Sequence, residues 1–222
     1  MSDLANYHLR LPMFLLLLLL FLVFYPFVHQ AYPQHLAVLE GFFLILMISG
    51  VSLLTHQKKL QFFMVLLAVL ILVGIYISGL AKSHLLLSIV LLMELCFFSV
   101  IFIKILSHIF HHREVTLNSL YSAITSYLVL GIMFAIFYTM MGMLSPDFFH
   151  YTAFPQPVLK TFPHPSFFGD ALYFSFVTLS TLGYGDWIPF FGPIQMIASL
   201  EAIIGQMFIA ILIARLVSMQ RR

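Results

Sequence analysis

The sequence predicts an all-α membrane protein. Six helices cross the bilayer, and a seventh, shorter apolar helix dips in and hands its chain to an extended, glycine-containing segment. Three observations carry this expectation. The 222 residues are 62% hydrophobic and only 8% charged, against about 25% charged in an ordinary soluble domain. Six apolar runs have the length of a spanning helix. Between the last two lies a stretch too long for a turn and too apolar for a plain loop.

The composition excludes several classes at once. With 25 Phe and a mean hydropathy of +1.07, the chain has too little polar surface to cover its apolar mass in water. The same apolar content excludes disorder. A net charge of +2 with no basic run gives no reason to expect nucleic acid. The single cysteine, Cys96, leaves no intrachain disulfide and no cysteine-based zinc site.

A spanning helix needs roughly 20 mostly apolar residues. The runs lie at 11–29, 36–54, 61–80, 85–107, 118–143 and 191–216. Polar punctuation separates them: Pro33 and His35, Gln57-Lys58-Lys59, Lys82-Ser83-His84, and His111-His112-Arg113-Glu114. The first run follows Arg10 as a signal peptide would, but it is long for one and no small-x-small cleavage site follows. With the N-terminus inside, Arg10, Lys58, Lys59, Lys104, Arg113, Arg215, Arg221 and Arg222 fall on the cytoplasmic side, and Lys82 and Lys160 outside. The positive-inside rule therefore predicts a multi-pass protein of the cell membrane with both termini cytoplasmic.

The outward segment begins as an irregular loop over 144–168, rich in Pro, Phe and His. Residues 169–180, from Gly169 to Ser180, read as a helix with Ser166 or Asp170 as N-cap. About eleven residues at 1.5 Å each give roughly 16 Å, about halfway through a 30 Å core. Thr181-Leu182-Gly183-Tyr184-Gly185-Asp186 follows. Extended backbone at that depth survives only inside protein or against a wet cavity. Gly183 and Gly185 permit backbone angles that other residues resist, so that successive carbonyls turn the same way. A column of carbonyls replaces the hydration shell of a cation, and the negative end of the preceding helix favours one there.

The stretch Thr178-Leu-Ser-Thr-Leu-Gly-Tyr-Gly-Asp186 resembles the potassium-channel signature T-x-x-T-V-G-Y-G-D. With its flanking spans the resemblance covers about 118–217, and the six-span layout is similar to prokaryotic six-helix potassium channels. It implies a homotetramer with one filter strand per chain, the permeant K⁺ as the only ion required, and no other cofactor. It assigns K⁺ coordination to the carbonyls of Thr181, Leu182, Gly183 and Tyr184 with the Thr181 hydroxyl, and an outward turn to Gly185. Asp186 would sit at the outer mouth, braced by the Tyr173 hydroxyl, and Gly205 would be the bend of the inner helix. Leu182 stands where Val is usual, which bears on the degree of selectivity. Tyr173 and Phe174 stand where many relatives carry a Trp pair.

The resemblance also divides the chain into a sensor-like unit at 1–107, an interfacial linker at 108–117 and a pore unit at 118–222. Within 118–222 it sets an outer helix at 118–143, a pore helix at 169–180, a filter at 181–186 and an inner helix at 191–216. The chain ends soon after the last run, so no soluble regulatory domain is expected in it. Glu94 and Glu40 are ionisable groups in spans, hence candidates for sensing or for buried pairing. Glu201 faces either the backing of the pore helix or the cavity. His108, His111 and His112 share a helical face and form either a pH- or metal-responsive site or a polar interfacial linker. No nucleotide fingerprint, H-E-x-x-H motif or activated nucleophile is present, so no enzyme is expected. Two other readings are a non-conducting subunit of a heteromeric channel and a weakly selective cation channel.

Voltage sensing needs several positive charges on one helix, each worth about 2.3 kcal/mol per 100 mV. Between Leu85 and Leu106 the only charged residues are Glu94 and Lys104. A planar-bilayer voltage ramp is therefore expected to show no steep Boltzmann activation, and a steep curve would contradict the reading.

Overall fold

A computed structural model describes residues 2–31, 36–54, 58–81, 83–111, 116–144, 149–151 and 167–220. The helices are α1 (Ser2–Ala31), α2 (Leu36–Val51), α3 (Lys58–Ala81), α4 (His84–His111), α5 (Leu117–Leu144), α6 (Phe167–Leu179) and α7 (Gly192–Gln220). Two short strands, β1 (Phe149–Tyr151) and β2 (Trp187–Pro189), complete it. Among the described residues, α1, α3, α4, α5 and α7 are long and apolar enough to cross a membrane. The second run is a 16-residue helix continued by the 3₁₀ turn Ser52–Leu54, together about 30 Å long.

The chain forms two compact units, residues 1–129 and 130–221, whose division falls inside α5. In the first, α1 packs on α2, α2 on α3 and α3 on α4. Its core is aromatic: Phe21 lies 5.8 Å from Phe43, and Phe43 lies 5.7 Å from Phe98, centroid to centroid. Glycines set the closest approaches. A Cβ at Gly50 would stand 3.3 Å from the Phe14 ring, and one at Gly74 only 2.5 Å from Val90 Cγ2. Phe62, Leu66, Val69 and Val73 on α3 stay exposed. A helix apolar on all sides suits a lipid-facing wall.

Local chemistry fixes the helix ends. Ser83 caps α4, its Oγ accepting from the Leu86 N–H at 3.4 Å. Thr116 and Ser119 open α5 with reciprocal bonds of 3.3 and 3.4 Å between the side chain of each and the backbone N–H of the other. Arg10 donates at 2.8 Å to the carbonyl of Ser52, where a helix end presents unsatisfied carbonyls and partial negative charge.

In the second unit α6 packs on α7. Its core gathers Tyr138, Ala171, Phe174, Trp187, Ile194 and Ala198. Two expectations change here. The loop at 144–168 contains β1, which pairs antiparallel with β2 in the register Phe149↔Pro189, His150↔Ile188, Tyr151↔Trp187. Aromatic and β-branched residues favour that pairing, and Pro189 is tolerated at a strand end. The half-length helix starts at Phe167, two residues earlier than its pattern suggested, and ends at Leu179. It is about 20 Å long. Asp170 therefore lies in its first turn, where negative charge suits the helix dipole, while Ser166 lies outside the described residues.

A Cβ on Gly131 of α5 would meet the Phe176 ring of α6 at 2.7 Å, and a rigid ring cannot move aside cheaply. Gly131→Val is expected to destabilise this unit by about 1–3 kcal/mol, read as an earlier thermal transition of detergent-solubilised protein. An unchanged transition would contradict the close approach.

Candidate functional site: the tract at the C-terminus of α6

The tract from Thr181 to Asp186 leaves α6 through a Schellman cap. The Thr181 N–H donates to the Thr178 carbonyl at 2.9 Å, and the Leu182 N–H donates to the Val177 carbonyl at 2.9 Å. These are the two bonds of that motif, with Thr181 in the left-handed position usually held by glycine. Its φ is 60°. For a β-branched residue this is a strained conformation, of order 1–3 kcal/mol.

The cap dictates where carbonyls point. In a trans peptide the N–H of one residue and the carbonyl of the residue before it are antiparallel. The N–H groups of Thr181, Leu182 and Gly183 all point back at α6, the last reaching the Val177 carbonyl at 3.3 Å. The carbonyls of Ser180, Thr181 and Leu182 therefore point away from α6. Positive φ recurs at Thr181 (60°), Gly183 (58°) and Gly185 (75°) and not between them. Alternation of hand lines successive peptide groups up on common sides. Residues 180–185 are exposed in the single chain.

The tract is anchored at both ends. At its N-terminal end, Gly205 of α7 lets the helix approach α6 so closely that a Cβ there would clash with the Leu179 carbonyl oxygen. The next residue, Gln206, donates from Nε2 to Thr181 Oγ1 at 2.8 Å. At its C-terminal end, the Tyr173 hydroxyl donates to Asp186 Oδ2 at 2.7 Å, and Asp186 Oδ1 accepts from the Trp187 N–H at 3.0 Å. Tyr173 and Tyr184 stack with centroids 6.5 Å apart and planes 6° from parallel. Trp187 is buried in the unit's core, and Gln195 Nε2 donates to the Pro189 carbonyl at 3.0 Å.

Behind α6 lies a buried polar network. Glu201 is fully buried, so of its two possible orientations the structure shows the one toward the backing of α6. Tyr138 donates to its Oε2 at 2.6 Å, and Ser175 Oγ lies 2.6 Å from its Oε1. Ser175 Oγ is also 2.8 Å from the Gly131 carbonyl, and one hydroxyl proton cannot serve both acceptors at once. A proton on the Glu201 carboxyl would complete the set, leaving Ser175 to donate to Gly131. The network thus ties α5, α6 and α7 together. Phe174 packs edge-on against Tyr138 at 5.0 Å.

The remaining candidates lie apart from the tract. Glu94 is buried in α4, with no hydrogen-bond partner among the described residues. His108 is half-buried near the end of α4, one turn before His111, while His112 lies outside the described residues. Glu40 is in α2, with its side chain outside the described set. No group of three or more His, Cys, Asp or Glu side chains that could hold a metal occurs among the described residues. Sequence reasoning missed Tyr138, Ser175 and Trp187. A signal existed for the first two: an acid within a span must find polar partners, and Ser175 is a polar residue in an apolar helix.

Five helices long and apolar enough to cross a membrane, among the described residues, mark a multi-pass membrane protein. The chain belongs to the ion channel family, whose model matches residues 85–222. No curated protein and no solved structure matches it.

Removing the Tyr138 hydroxyl leaves a buried carboxyl oxygen without its donor. Tyr138→Phe is expected to cost about 1–3 kcal/mol of stability, whereas Glu201→Gln, which can donate to Ser175 and accept from Tyr138, is expected to cost less than Glu201→Leu. Thermal melts of the three purified variants check this. Equal loss from Gln and Leu would contradict the proton arrangement.

Proposed function

We propose that the protein is a potassium-selective channel in which four copies gather their 181–186 tracts around one axis. One observation carries the reading. The carbonyls of Thr181 and Leu182 are turned away from α6 by its cap, onto a face that the single chain leaves exposed. Backbone carbonyls cannot face lipid, so other copies or a wet pore must cover them. A ring of copies satisfies both needs and supplies oxygens that replace the water around a dehydrated cation.

On this reading Thr181, Leu182, Gly183 and Tyr184 supply the K⁺ ligands, and Gly185 turns the chain outward. Asp186, held by Tyr173, sets negative charge at the outer mouth. Residues 118–222 form the pore unit. Residues 1–107 form a sensor-like membrane unit without the charge series of a voltage sensor, followed by an interfacial linker at 108–117. Both termini face the cytoplasm across the cell membrane. Gly205 is the position about which α7 bends, and its missing side chain also admits the Leu179 carbonyl. Glu94 and the histidines near the end of α4 are the groups through which the sensor-like unit would respond to pH.

Gly183 has φ +58° with nothing within 4 Å of a notional Cβ, so Gly183→Ala strains only the backbone, by about 1–2 kcal/mol in each subunit. Purified wild-type protein in liposomes is expected to carry K⁺, with a reversal potential in mixed K⁺ and Na⁺ close to that of K⁺. Gly183→Ala is expected to abolish that preference or the flux itself. Equal permeability to both ions in the wild type would make it a weakly selective cation pore, and no flux would contradict the channel reading of this tract.

A further inference from the structure

Gln206 is polar, sits on the inner helix, and has no role in the signature that marks the tract. Its position follows from its neighbour. Because Gly205 lacks a side chain, α7 closes onto the Leu179 carbonyl at the end of α6. That brings the Gln206 amide within 2.8 Å of Thr181 Oγ1, the one side-chain oxygen among residues 181–185 apart from the Tyr184 phenol.

The Thr181 hydroxyl has one proton and two lone pairs. The proton goes to the Ser180 carbonyl at 2.6 Å. One lone pair accepts from Gln206, and a single lone pair remains. Both bonds together leave the hydroxyl no freedom to rotate. The backbone gives an independent sign that this hydroxyl matters. At φ 60° glycine would make the same cap without strain, but it would bring no oxygen.

We propose that Gln206 is a positioning residue for a monovalent-cation site at the inner end of the tract. Its amide fixes the Thr181 hydroxyl so that the remaining lone pair is held ready for a dehydrated ion of potassium size. The inference rests on the channel reading above and extends it to a residue outside the tract. A ligand already oriented needs no reorganisation when the ion arrives, so affinity and ion preference at this site depend on the clamp.

The test uses Ba²⁺, a divalent ion of nearly the size of K⁺, as a blocker applied from the side of the α7 C-terminus. Full-length wild type, Gln206→Met, Gln206→Leu, Thr181→Val and the Met/Val double variant are compared in liposome K⁺ flux and planar-bilayer recordings. Gln206→Met keeps the length and removes the donor. Its inhibition constant for Ba²⁺ is expected to rise at least about fivefold, the scale of one lost hydrogen bond. Thr181→Val is expected to do the same, and the double variant is expected to be no worse than Thr181→Val alone, because both changes act through one hydroxyl. A purely structural tie between α7 and the tract would instead lower thermal stability while leaving Ba²⁺ block unchanged, and that result in Gln206→Met or Gln206→Leu overturns the proposal. Unchanged block in Thr181→Val overturns it independently of whether the Gln206 variants fold. Absence of K⁺ flux in the wild type removes the channel reading itself. Wild-type flux with wild-type block in the Gln206 variants removes only this inference.

Discussion

A peptide group cannot be left facing lipid, and that constraint organises the second half of this protein. The spanning helices meet it by bonding within themselves. The six residues from Thr181 to Asp186 do not, and the structure handles their polar groups in two halves. The N–H groups of Thr181, Leu182 and Gly183 are absorbed by the last turn of α6 through the Thr178 and Val177 carbonyls. The carbonyls of those same peptide planes must then point the other way. Left-handed backbone at alternate positions extends the arrangement along the tract. An open row of oxygens is costly in a membrane unless something charged or wet lies against it, and the proposed ring of copies supplies both.

Such a tract keeps its shape only if its surroundings over-determine it. Three elements converge on α6: α5 through Gly131 and Tyr138, α7 through Glu201 and Gly205, and β2 through Trp187. Where close contact is needed a glycine stands, and where the contact is polar each group finds a partner. The Tyr138–Glu201–Ser175 network lies behind the tract rather than in it. It fixes how α6 sits against α5 and α7, which apolar packing alone specifies less sharply. The strain at Thr181 is local and is held by a two-bond cap below and the Gln206 amide beside it.

Much of this was legible in the sequence because its physics is local. Span lengths follow from runs of apolar residues, and the ends of α3, α4 and α5 fall within a few residues of the polar breaks that predicted them. The Gly183 and Gly185 positions announce positive φ, since few other residues adopt it. Other features depend on residues far apart in the chain. The β1–β2 pairing joins Phe149–Tyr151 to Trp187–Pro189, and neither three-residue segment has enough periodicity to declare itself. The orientation of Glu201 needed its partners at Tyr138 and Ser175, 63 and 26 residues away. Thr181 was not legible as a left-handed cap, because nothing in a threonine advertises a conformation it resists.

The central claim is that main-chain oxygens of this tract replace the water around a potassium ion. Solid-state NMR of the protein in bilayers, with ¹³C carbonyl labels at Thr181, Gly183 and Tyr184, tests it most directly. Exchange of K⁺ for Na⁺ is expected to shift those carbonyl resonances while leaving labelled positions in α3 unmoved. Carbonyl resonances that are the same in both ions would contradict the account.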